Sequence, residues 1–151
     1  MQRTAAAGYD TDFALWAEAQ AAALREDRFG DLDMPHLLEE IDDLSNRKRD
    51  AIRSRLTKLA VHLLKLQHQP ERESGSWRGS IIEHARRIRQ ILEASPSLRR
   101  ELVDYEPRAY ADARPQAAAE TRLPIATFSE APTPEFDRAL RAALAGEDFG
   151  F

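Results

Sequence analysis

The chain has no cysteine, which excludes disulfides, thiolate-ligated zinc and a thiol nucleophile together. Valine is nearly as scarce: Val61 and Val103 are the only two among 151 residues, and a sheet of any size would need more β-branched side chains. Glycine numbers six and never clusters, so there is no glycine-rich phosphate loop. Serine is present at positions 45, 54, 74, 76 and 80, but none sits in a nucleophile-elbow context. No run reaches the ~18–20 apolar residues of a membrane span, and the N-terminal MQRTAAAGYD lacks the apolar core of a signal peptide. These absences predict a cytoplasmic protein without a membrane segment.

What remains is rich in Ala, Leu, Arg and Glu, all good helix formers. Hydrophobic residues make up 42% and charged residues 32%, a balance that supports a globular core in a chain of this length. The net charge of −4 conceals three blocks: −8 over residues 1–43, +9 over 44–100 and −5 over 101–151. Blocks this uneven admit two readings, a polyanion-binding face on the central segment or acidic flanks that neutralise it within the fold.

Periodicity predicts helices throughout. A first helix is expected over 11–28, capped by Asp10 or Thr11, with Phe13, Trp16, Gln20 and Leu24 on one face and Gly30 beyond its end. Asp33 is a good N-cap for a second, with Pro35 in its first turn. After Pro35 there is neither Pro nor Gly up to His68, and Leu37, Leu38, Ile41, Leu44, Ile52, Leu56, Leu59, Leu63 and Leu66 recur mostly at steps of three and four, apart from a gap around Lys48. A single helix of that length would reach ~50 Å, so a bend is expected near Ser45–Asn46, the weakest helix formers in the run. Gln69–Pro70 ends it.

Ser76 is the expected cap of a third helix carrying Trp77, Ile81, Ala85, Ile88 and Leu92 on its core face, with Trp77 as an apolar anchor. Ser95–Pro96 opens a short fourth helix with Leu98 and Leu102. Pro107 opens a fifth with Ala109, Tyr110 and Ala113, which Pro115 kinks or interrupts. Residues 123–133 are expected to be irregular, and Thr133–Pro134 starts a last helix with Phe136, Leu140 and Leu144, stopped by Gly146. The fold class is therefore all-α: a bundle of five or six helices with one long helix near 34–68. The expected organisation is a disordered 1–8, one helical domain over 9–146 and a tail over 147–151.

Two groups of side chains could carry chemistry. In HLLEEIDD, His36 and Glu40 share one helix face, as do Glu39 and Asp43. Such a cluster suits a divalent metal only with a matching motif on a facing helix, and none is present, so no metal or cofactor is expected and a solvated acidic helix start is the simpler reading. The weaker functional alternative is a metal-dependent hydrolase on residues 39–43. In HLLKLQHQPERESGSWR, His62 and His68 are six residues apart, roughly 120° round a helix, and cannot share a ligand. His62 is expected to be half-buried with a hydrogen-bond partner. His62, Lys65, Gln69, Ser76 and Arg78 form a candidate binding surface at the Pro-terminated corner. Basic residues between 47 and 100, including Lys58, Lys65, Arg86, Arg87 and Arg89, are the candidate nucleic-acid face, though only Trp77 interleaves with them.

The stretches YDTDFALW (9–16), LREDRFGDLDMPHLLEEI (24–41), SRLTKLAVHLLKLQHQPERESGSWR (54–78), SPSLRR (95–100) and ETRLP (120–124) resemble, in order and spacing, the bacterial "domain of unknown function 29" family. The resemblance implies a small, stand-alone, largely helical protein and brings no activity, substrate or catalytic residue with it. The family pattern includes Glu39, Glu40, His62, Lys65, Gln69, Pro70, Ser76 and Trp77. Asn46 departs from the glycine-like turn residue expected there. Without a recognisable catalytic set, the sequence points to a non-enzymatic interaction module, acting on a protein partner or on a second copy of itself.

Overall fold

A computed structural model describes residues 8–151; the expected disordered N-terminus lies, but for Gly8, outside the described residues. The described chain is all-α, with five α-helices and no strand. They are α1 (Phe13–Arg25), α2 (Met34–His68), α3 (Gly75–Ala94), α4 (Leu102–Thr121) and α5 (Pro134–Ala145). Short 3₁₀ turns occupy Phe29–Asp31, Pro70–Arg72, Pro96–Glu101 and Ile125–Thr127. Contacts divide the chain into two compact units, 1–46 and 47–151. α2 runs through Ser45 and Asn46 without a break in its helical assignment, so the expected bend does not interrupt it.

In the N-terminal unit, α1 begins later and ends earlier than its periodicity suggests. Asp12, rather than Asp10 or Thr11, is the N-cap and accepts from the Leu15 N–H at 3.1 Å. The helix stops at Arg25 because Asp27 turns into the left-handed region (φ 53°) and the Arg28 N–H bonds back to the Ala23 carbonyl. Asp is among the few non-glycine residues that enter this region at low cost. Trp16 and Gln20 are buried as expected, but Phe13 and Leu24 stay half-exposed.

The C-terminal unit holds one hydrophobic core. Ile52, Leu56, Leu59, Leu63 and Leu64 of α2 pack with Ile81, Ile88 and Leu92 of α3, Tyr110 and Ala113 of α4, and Phe136 and Leu140 of α5. The three- and four-residue spacing of these positions is what turns one stripe of each helix inward. α3 starts at Gly75 with Ser74 as its N-cap; Ser76, the expected cap, is exposed and shares a hydrogen bond with the Ser74 hydroxyl at 2.7 Å. Trp77 lies at the edge of the core rather than within it.

Residues 96–101 form a 3₁₀ turn instead of a fourth α-helix. α4 then runs continuously through Pro107 and Pro115, neither of which starts or ends it. Each proline leaves the carbonyl four residues earlier without its amide, but those carbonyls belong to Val103 and Ala111, both exposed, where water can take over. α5 matches its expected bounds: Thr133 accepts from the Phe136 N–H, and Gly146, at φ 77°, ends the helix. Phe128, in the irregular 123–133 segment, and Phe149, near the C-terminus, are buried core members.

Candidate functional site

In the N-terminal unit His36 and Glu40 of HLLEEIDD are engaged with aromatic residues of the first helix and the turn before it. Asp33 caps α2 and accepts from Trp16 Nε1 at 3.1 Å and from His36 Nδ1 at 2.7 Å. Its own N–H donates to Gln20 Oε1 at 2.7 Å. The Tyr9 ring stacks on His36, centroids 4.1 Å apart, and its hydroxyl donates to Glu40 at 2.6 Å. Glu40, through that bond and its charge, pushes the Tyr9 hydroxyl up to about 12. The His36 bond holds Asp33 below the usual carboxylate value, and the same bond holds His36 above the usual histidine value. His36, Glu40 and Asp33 thus clamp α1 to the start of α2. Glu39 is exposed and Asp43 partly buried. Among the described residues no group of three or more metal-ligating side chains is arranged to hold an ion. Glu40 and His62 both belong to α2 but fall in different compact units.

Beside this clamp lies a groove of about 290 Å³, lined from α1 by Phe13, Trp16, Gln20 and Leu24 and from α2 by Leu37, Ile41 and Leu44, with Glu40 at one edge. Ile41 and Leu44 are each 60% exposed and Leu38 55%. Of the twelve exposed large hydrophobic side chains among the described residues, eight fall between Phe13 and Leu44. Isolated exposed leucines are ordinary, whereas a contiguous patch marks an interaction surface.

In the C-terminal unit the five residues of the candidate corner divide by partner. Lys65 is buried; its ammonium bonds Glu120 of α4 at 2.7 Å and lies 4.5 Å from the centre of the Trp77 ring. Burial alone would raise the Glu120 carboxyl, but Lys65 and the Gln116 amide outweigh it and leave it lowered. Gln69 is buried and donates to the Thr121 carbonyl at 3.2 Å. These contacts join α2 to α3 and α4. Ser76 turns to Ser74, and Arg78 pairs with Glu73 while its guanidinium lies 5.5 Å from the Phe149 ring. His62 is half-buried, but its Nδ1 is buried without the hydrogen-bond partner expected for it. Glu120 and Thr121 went unassigned in the sequence; the signal available was their place in ETRLP.

Other cations of the 47–100 block are likewise engaged. Arg49 bonds Glu101, Arg53 pairs with Asp50, Arg86 and Arg87 share Glu83, and Arg89 donates to the Ala143 and Leu144 carbonyls that end α5. For the first four the counter-charge comes from acids near in sequence or from Glu101 in the 3₁₀ turn before α4.

The histidines titrate in opposite senses. His36, raised mainly by Asp33, contributes stability that is present below the unfolded value near 6.5 and is lost as pH rises through its folded value. His62, His68 and His84 are lowered mainly by burial, so their contribution is present above that unfolded value and is lost as pH falls through their folded ones. Hydrogen exchange, converted to opening free energies, should therefore show α1 and residues 33–40 gaining protection from pH 7.5 to 5.5 while residues 56–68 and α3 lose it. Parallel change in both segments would contradict the assignment.

No curated protein and no solved structure matches the chain, and no described helix is long and apolar enough to cross a membrane. The family model described as "Domain of unknown function DUF29" matches residues 9–144, a span that takes in both the groove and the Lys65–Glu120 pair. The protein belongs to the DUF29 family.

Proposed function

We propose that this protein is a non-enzymatic interaction module that binds a helical segment of another polypeptide in the groove between α1 and the first three turns of α2. The observation that carries this reading is the apolar lining of that groove, in which Phe13, Leu24, Ile41 and Leu44 are exposed. Two helices clamped side by side leave a trough whose natural filler is a third helix, as in other helix-in-groove complexes. Lining residues from Phe13 to Leu24 cover ~16 Å of helix, enough for about three turns of a partner. The clamp of Tyr9, Trp16, Asp33 and His36 holds the trough open in advance, which limits the ordering cost of binding.

The nucleic-acid reading of 47–100 has less support. Arg49, Lys65, Arg78, Arg86, Arg87 and Arg89 are engaged with carboxylates or helix-end carbonyls, and phosphate binding at these six would have to displace those partners. For the hydrolase reading, the acidic residues of α2 sit in the clamp or in solvent, with no ion-holding group among the described residues.

The test is site-specific photo-crosslinking in cells that produce the protein natively. A photoreactive side chain at position 44, in the groove wall, should yield a discrete polypeptide adduct, absent with the probe at position 99 and lost when Ile41→Asp is added. Adducts of equal yield at both positions would count against the groove.

A further inference from the structure

We infer that the occupant of the α1–α2 groove is a cationic amphipathic helix; this rests on the reading of the groove as a docking face. Residues 8–46 hold eleven carboxylates and two arginines, a net charge of −9. Glu40 lines the groove itself. Helical spacing sets Glu18 beyond Ala21 on the outer edge of α1 and Asp42 beyond Leu38 on the outer edge of α2. Arg25 is the cation at that edge, while Arg28 is bound to Glu26 and Asp31. An apolar floor with an acidic surround selects a helix that has apolar residues at i, i+3 or i+4, and i+7, flanked by Lys or Arg. The same charge disfavours a second copy of this chain laid groove to groove, because it would bring −9 against −9 within about one Debye length at physiological salt. It likewise disfavours an anionic membrane surface.

The probe is a fluorescein-labelled peptide of leucine and lysine, about fourteen residues or four turns long, with leucines at helical spacing. Its leucine–glutamate twin is the control, and binding to the full chain is followed by anisotropy. A Trp77→Phe variant leaves Trp16, in the groove wall, as the single indole, and its emission should respond to the same titration. The lysine peptide should bind at least ~30-fold more tightly than its twin at low salt, and the preference should narrow to a few-fold at ~1 M salt. Ile41→Asp should weaken it by ~10-fold or more, and Glu18→Lys with Asp42→Lys should erode the preference by a similar factor. Thermal unfolding of each variant checks that these exposed substitutions leave the fold intact.

Equal binding of both peptides would overturn the charge inference and leave the groove standing. Binding of neither would remove the groove reading as well. Lysine-peptide binding indifferent to Ile41→Asp would be charge attraction away from the groove and would overturn the inference. So would a dimer by light scattering that Ile41→Asp dissolves, or association with zwitterionic vesicles that the same variant abolishes.

Discussion

Leu63→Ala should lower the free energy of unfolding by about 3–4 kcal/mol, whereas Leu38→Ala, the same change on the same helix, should stay within about 0.5 kcal/mol. Both positions lie inside α2, so helix propensity shifts equally and cancels from the comparison. Leu63 is 0% exposed within the core cluster; truncation loses its transfer free energy and leaves a cavity among side chains that relax only in part. Leu38 is 55% exposed and has little transfer free energy to lose. Urea denaturation with an unchanged slope is the measurement. If Leu38→Ala cost as much as Leu63→Ala, that face of the start of α2 would already be covered in the free protein.

A second large effect belongs to the Lys65–Glu120 pair, and it should be asymmetric. The Lys65 side chain is 10% exposed and that of Glu120 38%. Removing the carboxylate strands a buried ammonium, so Glu120→Ala should cost about 3 kcal/mol, the lower end for breaking a buried pair. Lys65→Met removes the charge, keeps an apolar stem of similar length, and leaves a carboxylate that water can partly solvate; about 1–2 kcal/mol is expected. Lys65→Ala should exceed Lys65→Met, since it also loses the stem and its contact with Trp77. The double variant Lys65→Met with Glu120→Ala should cost less than the two single changes summed, the mark of coupling in a mutant cycle. Additive losses would mean that the pair contributes by packing alone.

Fold class and the ends of α5 were legible because Thr133–Pro134 and Gly146 are strong local signals that need no tertiary knowledge. Pro107 and Pro115 misled for the same reason: their local signal is a boundary, and its cost is small here only because the affected carbonyls face solvent, a fact of three-dimensional placement. Leu37, Leu38, Ile41 and Leu44 show why the groove was not visible. Their spacing is that of a core stripe, and periodicity reports that a face is apolar without saying whether anything covers it. Lys65 and Glu120 stand 55 residues apart, beyond the reach of any local pattern. His62, by contrast, was placed correctly as half-buried, but a hydrogen-bond partner depends on which neighbour happens to face it, and Nδ1 has none.

The division between the two compact units at Asn46 cuts through the middle of a helix rather than through a loop. Most separable modules meet at flexible, solvent-exposed linkers that can be lengthened, transplanted or clipped without consequence. Here an inserted residue would shift the side-chain phase of the rest of α2 by ~100° relative to its first turns. A fusion that borrows the N-terminal pair must carry the helix onward, because a cut at Asn46 would leave carbonyls in mid-helix without their amide partners.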